Sequence, residues 1–353
     1  MSETNANLTE LSSLGEFGLI EHLTKNIKLK HKTTIKGVGD DAAVIQPDKG
    51  KQVLVSNDLL IEGIHFDLTY TPLKHLGYKA VVVNLSDIVA MNGTPNQIVV
   101  GIGISSKYSL EAIEEIYAGI LKACEVYNID FIGGDTTSSQ VGLHLSVTVI
   151  GEVNKSKITY RSGSKPNDLI CVTGDLGAAY MGLLLLEREK KAFQADPNLQ
   201  PDLGGNDYLL ERQLKPEARL DIIRLFEEKM IKPTSMIDIS DGLASEVLHL
   251  CNASKTGCVI HEEKIPIDQV TFDQAKTFGI VPTVAALNGG EDYELLFTIS
   301  QQDYDKLKDE PEITIVGYMT EEKEGQQLLT NDDQMIKLEA QGWDALKKRE
   351  LNI

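Results

Sequence analysis

Five short acidic motifs recur along this chain, each built around aspartate and flanked by small or polar residues. They are Gly39-Asp40-Asp41, Ser56-Asn57-Asp58, Asn84-Leu85-Ser86-Asp87, Gly133-Gly134-Asp135 and Asp238-Ile239-Ser240-Asp241-Gly242. Apolar runs lead into two of them, Val53-Leu54-Val55 and Ile129-Asp130-Phe131-Ile132. A carboxylate at the end of an apolar strand is costly unless something neutralises it. Several such strand ends together point to a bound hard cation with oxygen ligands, and so to Mg²⁺ and phosphate chemistry. The competing reading of any one motif is ordinary, because Asp and Asn also cap helices and turn loops. Fivefold recurrence favours the metal.

Other chemistries lack their signatures. There is no GxxxxGK[ST], no GxGxxG after a strand and no kinase-type HRD or DFG. The seven histidines are scattered without zinc-ligand spacing, and no GxSxG elbow occurs. An all-oxygen site remains. Mg²⁺ takes only one or two carboxylates each, so five or more imply several ions that bridge phosphate oxygens.

The elements that must position these residues follow from periodicity. Glu16 to Ile27 reads as a helix. Ala42–Ile45, a turn at Pro47 and Gly50, and a strand from Val53 to Ser56 read as hairpin-like, with acidic loops at the ends. Leu73 to Met91 reads as a helix, with Asp87 on an otherwise apolar stripe and Asn84 one turn before it. Ile98–Ile104 is a strand, Leu110–Cys124 a strongly periodic helix, and Ile129–Ile132 and Leu143–Ile150 are strands. A polar stretch from Asn154 to Pro166 marks a boundary, giving domains 1–152 and 153–353. Beyond it come strands at Asp168–Thr173, Cys258–His261, Tyr293–Ile299 and Ile313–Val316. Helices are expected after Gly177, at Pro216–Lys229, at Gly242–Ala253 and near Asp303–Leu307. Residues 195–206, rich in Pro, Gly, Asp and Asn, read as a mobile insertion or lid. The fold class is α/β (α+β).

Composition bounds the partners. A chain of 353 residues exceeds what one core usually serves. Apolar content of 42% and charged content of 25% are those of a globular protein. The net charge of −19, from 53 acidic against 34 basic side chains, argues against nucleic acid as a partner. It also means that an anionic substrate needs metal ions and placed Arg or Lys to approach. Cys124, Cys171, Cys251 and Cys258 show no CxxC spacing and read as reduced core thiols. No signal-like N-terminus or membrane-length apolar run is visible, so the expectation is a soluble, cytoplasmic protein with no membrane partner.

The chain resembles the thiamine-monophosphate kinase family of the aminoimidazole ribonucleotide synthetase superfamily, nearly end to end. The matching segments are Gly37–Ala43, Asp58 through Glu62-Gly63-Ile64-His65-Phe66, Val83–Asp87, Ile132–Thr137, Arg161-Ser162-Gly163, Asp238–Leu243 and Gly289–Leu295. Several superfamily members share the acidic segments; EGxHF with GGEDYEL is more specific to this kinase.

The resemblance implies a two-domain aminoimidazole ribonucleotide synthetase-like fold. Its N-terminal sheet domain would pair in a homodimer, and ATP would bind in a cleft between domains. The implied reaction transfers the ATP γ-phosphoryl group to thiamine monophosphate, with several Mg²⁺ ions assisting. Asp41, Ser56, Asn57, Asp58, Asp87, Asp135, Asp238 and Asp241 would ligate metal, with Asp87, Asp135 and Asp241 central to catalysis. Gly134, Asp135, Arg161 and Ser240 would meet the nucleotide, and His65, Glu291 and Trp343 the substrate.

Ordinary roles compete at several positions: packing for Trp343, a half-buried ring for His65, a surface ion pair for Arg161. Asp40 and Asp41 are not separable by sequence. Another ATP-dependent ligase or cyclase, or a non-catalytic nucleotide sensor, would carry much the same acidic set. One departure from the family pattern is Ala90-Met91-Asn92-Gly93, where Ala-Met-Gly is usual. Asn tolerates a left-handed helix end, so the turn should survive.

Overall fold

The computed structural model describes residues 14–38 and 43–341, the side chains of 15–17 apart. Asp40, Asp41 and Trp343 lie outside them. The chain forms two compact units. Unit 1 takes residues up to Ile158 together with Leu214–Leu220, and unit 2 takes Thr159–Gln213 and Asp221 onward. The chain thus returns to unit 1 for a short segment, a crossing that one boundary in sequence does not express.

In unit 1, α1 (Gly15–Thr24) precedes β1 (Thr34–Lys36) and β2 (Val44–Ile45), which pair with each other antiparallel. The expected hairpin between Ala42–Ile45 and Val53–Ser56 is therefore corrected. The strand β3 runs on through Asn57-Asp58, spanning Lys51–Ile61, and pairs with β6 (His144–Asn154) along its whole length. Eleven residues of continuous pairing override the low strand preference of Asn and Asp. With β4 (Thr94–Ile104) and β5 (Asp130–Ser138) they make a sheet of order β3-β6-β4-β5. Only β4–β5 is parallel.

The helices α2 (Leu73–Ala90) and α3 (Leu110–Val126) pack on each other and cover the sheet. Gly77 and Gly119 let them approach: a Cβ at Gly77 would sit 2.0 Å from Ile116 O, and one at Gly119 1.9 Å from Lys74 O. Helix α2 ends as its sequence predicts. Asn92 is left-handed at φ 60°, and Gly93 N reaches back to Ile88 O. The returning segment is clamped by Glu217, whose carboxylate accepts from the Tyr78 and Tyr127 hydroxyls.

Unit 2 is built on a sheet of order β13-β12-β9-β11-β7-β10-β8. Its strands are β7 (Leu169–Thr173), β8 (Ser235–Asp238), β9 (Thr256–His261), β10 (Leu295–Ile299), β11 (Ile313–Glu321), β12 (Gln326–Leu329) and β13 (Met335–Lys337). Its helices are α4 (Ala178–Ala195), α5 (Asp207–Leu214), α6 (Leu220–Glu228), α7 (Leu243–Ser254), α8 (Gln269–Thr277), α9 (Pro282–Asn288) and α10 (Tyr304–Leu307). The expected helix at Pro216–Lys229 shortens to α6, since 215–219 runs without helix. Residues 196–206 form a loop between α4 and α5, held in part by Asp202 N on Glu189 Oε2 at 2.8 Å. Ile170, Val172, Ile237, Val247, Leu296 and Val316 pack into the main core. All four cysteines are free and buried. Among the described residues, no helix is long and apolar enough to cross a membrane.

Candidate active site

Unit 1 brings two carboxylates together. Alternation along β3 buries Leu54 and Leu60 and leaves Ser56 and Asp58 half-buried on the same face, toward α2. There Ser56 Oγ donates to Asp87 Oδ2. Asn84, fully buried, ties strand to helix: its Oδ1 accepts from Asp58 N at 2.8 Å while its Nδ2 donates to Ala80 O at 2.9 Å. Burial, then the Asp87 charge, raises the Asp58 pKa to about 6. A carboxylate raised in this way beside a second one offers the oxygen donors a divalent cation prefers, and the cation would relieve both influences. The donor set therefore fits Mg²⁺.

The opposite face of the sheet carries different residues. Leu59, Ser146, Gly101 and Asp135 lie side by side across the four strands, one row from Asp58, Val147, Val100 and Gly134. Successive rows face opposite sides. Asp135 is therefore exposed on the open face, three strand spacings or roughly 14 Å from β3. It borders a cleft of about 360 Å³ with Thr137, Ser139, His144, Ser146 and Leu59. Asn57 also lies on this face, donating to Ser146 Oγ at 3.0 Å and Thr148 Oγ1 at 2.9 Å. Gly134 is required where β5 presses on β4: a Cβ there would meet Val100 O at 2.0 Å. Within unit 1, then, Ser56, Asp58 and Asp87 form one group, and Asn57 and Asp135 do not join it. Among the described residues, no three His, Cys, Asp or Glu side chains converge on a single ion position.

His65 is exposed on a tight turn, its Nδ1 accepting from Ile61 N at 3.0 Å. Glu62 braces that turn, accepting from Leu143 N at 2.7 Å and Tyr108 Oη at 2.5 Å.

Unit 2 joins two motifs some fifty residues apart in sequence. Asp238, buried at the end of β8, stands opposite Leu295 of β10. The pairing continues past both strand ends: Ile239 N donates to Glu294 O at 2.8 Å, Tyr293 N to Ile239 O at 2.9 Å, and Glu291 N to Ser240 O at 2.7 Å. Ser240 and Asp241 are held by buried Glu246, whose Oε1 accepts from Asp241 N at 2.8 Å and Ser240 N at 3.1 Å. Burial raises the Asp241 pKa, with His249 opposing. Arg161 is exposed beside the same edge, where Met236 N donates to Tyr160 O at 3.0 Å.

Sequence reading missed Glu246, Arg212 and Gln213, and gave Glu294 no role within Gly289–Leu295. The only signal for Glu246 is an acidic residue in the first turn of α7, a position that suits backbone N–H groups. Arg212 Nη1 meets Glu294 Oε1 at 2.8 Å, and Gln213 Nε2 donates to Glu291 Oε2 at 2.8 Å.

Comparison with known proteins identifies the family. Residues 39–153 match the model for the AIR synthase related protein, N-terminal domain. The chain is 36% identical to the thiamine-monophosphate kinase of Bacillus subtilis (strain 168), over 95% of this chain and all of that one. Among solved structures, AaThiL complexed with AMPPCP and TMP superposes with a TM-score of 0.71 at 30% identity, covering 96% of this chain and 99% of the other. The thiamine-monophosphate kinase of Stenotrophomonas maltophilia K279a gives 0.76 at 29% identity, covering 90% and 97%. With length, fold and sequence all matching over nearly the whole chain, the protein belongs to the thiamine-monophosphate kinase family.

Proposed function

We propose that this chain phosphorylates thiamine monophosphate to thiamine diphosphate, with ATP as donor, by direct in-line transfer. End-to-end similarity to a curated thiamine-monophosphate kinase carries the reading. AaThiL, complexed with AMPPCP and TMP, is the precedent for taking nucleotide and acceptor together. The acceptor phosphate is already ionised near neutral pH, so no strong general base is needed. Its oxygen attacks the γ-phosphorus, the bond from that phosphorus to the β–γ bridging oxygen breaks, and ADP leaves. Positioning and charge stabilisation supply the rate.

Both units carry candidate ligands. Asp58 and Asp87, with Ser56, would hold Mg²⁺ in unit 1; Asp238 and Asp241 would do so in unit 2. The metal would neutralise charge that builds on the phosphoryl oxygens. Asp135 on the open sheet face and its neighbour Gly134, with Arg161 and Ser240, are assigned to the nucleotide, and His65, Glu291 and Trp343 to the acceptor. Arg161 offers a fork suited to phosphate.

The same reading makes the protein a cytoplasmic homodimer. Support for pairing is the apolar stripe Val53, Val55 and Leu59, exposed by 42%, 65% and 50% on the open face of unit 1. The decisive assay mixes purified protein, Mg-ATP and either thiamine monophosphate or free thiamine. ADP should form with the phosphate ester and not with the alcohol. No ADP with thiamine monophosphate would overturn the assignment, and a monomeric mass in sedimentation would overturn the pairing.

A further inference from the structure

We propose that Glu246, in the first turn of α7, is a positioning residue that sets Ser240 and Asp241 for the metal-bound nucleotide. This role rests on the assignment of those two residues to nucleotide and metal, and carries it to a side chain outside the motif.

The Asp238–Gly242 motif leaves β8 and turns into α7. Gly242 is the N-cap of that helix, and Glu246 lies four residues further on. In a capping box the acidic side chain stands at the third helical position and returns to the N-cap N–H, which closes the first turn of the helix itself. Glu246 stands one position later and reaches past the N-cap. Its Oε1 accepts from Asp241 N at 2.8 Å, from Ser240 N at 3.1 Å and from Ser240 Oγ at 3.3 Å. These bonds serve the loop before the helix, not the helix. Glu246 is 1% exposed, and a buried carboxylate is costly unless donors answer it. Here the donors belong to the loop, whereas packing alone would be met by an apolar side chain.

The loop is fixed from its other side as well. Ser240 O accepts from Glu291 N at 2.7 Å, and Ile239 O from Tyr293 N at 2.9 Å. Glu291 and Tyr293 hold left-handed backbone at φ 60° and 52°, which non-glycine residues seldom adopt, so both N–H groups come from a strained segment. The approach is close: a Cβ on Gly290 would meet Ser240 O at 2.4 Å. One carboxylate thus takes the N–H groups of Ser240 and Asp241, and the neighbouring segment takes the Ser240 carbonyl. Asp241 itself is half-buried. Metal ligands and phosphate contacts work only when held within about 0.5 Å of their productive geometry. Glu246 supplies that constraint without itself ligating the metal.

The test uses the full-length enzyme and two readouts: the Mg²⁺ concentration for half-maximal ADP formation, and calorimetric binding of AMPPCP with Mg²⁺. Glu246→Asp keeps the charge and shortens the reach. It should raise both constants about tenfold, the scale of a lost hydrogen bond to a charged group. Glu246→Gln keeps the reach and an acceptor oxygen while removing the charge, and both constants should stay within about threefold. A side chain that only stabilised the helix would lower the unfolding midpoint and leave both constants unchanged. Any pattern other than an impaired aspartate and a near-normal glutamine variant overturns the inference and leaves the kinase assignment standing. Hydrogen exchange on the parent protein decides the question if the aspartate variant fails to fold. The amides of Ser240 and Asp241 should be protected already without metal; fast exchange that slows only on loading with Mg²⁺ and AMPPCP would overturn the role. An Asp241→Asn enzyme with unchanged half-activating Mg²⁺ would instead remove the metal role of Asp241 and the inference with it.

Discussion

The Asp58–Asp87 pair of unit 1 and the 291–294 segment of unit 2 treat acid in different ways. In unit 1, Asp58 and Asp87 sit on regular elements, a strand and a helix, and the influences on Asp58 are burial and a second negative charge. In unit 2, Asp292 and Glu294 sit on a strained segment, and a guanidinium, the Gly177 backbone N–H and a hydroxyl answer them from within the protein. Acid compensated internally holds a loop in shape. Acid set beside another acid is suited to an external cation. Counting carboxylates in a motif does not separate the two; the surrounding charge does.

The largest expected effect comes from the carboxylate pair of unit 1. Asp87→Asn should lower kcat by about a hundredfold or more, the scale of losing a group that stabilises charge in the transition state. Steady-state ADP formation measures it, and the unfolding midpoint should hardly move. An active Asp87→Asn enzyme would break the comparison on the unit 1 side.

Next is the counter-ion of unit 2. Arg212→Met leaves Glu294 buried without its cation and should cost about 3 kcal/mol or more of stability, read from urea unfolding. A near-neutral result would mean that Glu294 does not depend on it.

A smaller effect is the pH dependence set by Asp292. Burial first, against the opposing charge of Arg212, lifts its pKa from 3.8 to about 7. An acid raised on folding binds more protons folded than unfolded, so its contribution is full below the unfolded value and is lost as pH rises toward the folded one. Between about pH 4 and 7, Asp292→Asn should therefore gain stability relative to the parent protein. Melting curves at several pH values check the slope; a parallel pair of curves would contradict it.

The least effect is expected at Asn57. Because it lies on the open sheet face and bonds its neighbours on β6, Asn57→Ala should change kcat by less than about threefold, as for a neutral hydrogen bond of about 1 kcal/mol or below. A loss comparable with Asp87→Asn would return it to the metal group.

Much of this was legible in sequence where one local rule ruled. Helix α3 follows its apolar periodicity, α2 forms where expected although it is buried on nearly every face, and the Asn92 turn follows the tolerance of Asn for left-handed backbone. Strand ends were not legible where pairing overrode preference. Asn57-Asp58 and Gly133-Gly134 look like loop residues, yet they lie inside β3 and β5 because long ladders hold them. That error also hid the face on which each acid lies, since a strand assigns faces by alternation and a loop does not. Helices α8 and α9 went unread: the first buries only Thr271 and Ala275 deeply, and the second spans seven residues. Arg212, Gln213 and Glu246 carry no motif, and their partners lie 82, 78 and 5 to 6 positions away.

The excursion of Leu214–Leu220 has a practical corollary for dissection of the protein. A fragment stopped at Ile158 would deprive Tyr78 and Tyr127 of the Glu217 acceptor that both hydroxyls share. Expressing the first half by simple truncation therefore removes a piece of its own interior, and a soluble version would need that heptapeptide grafted back.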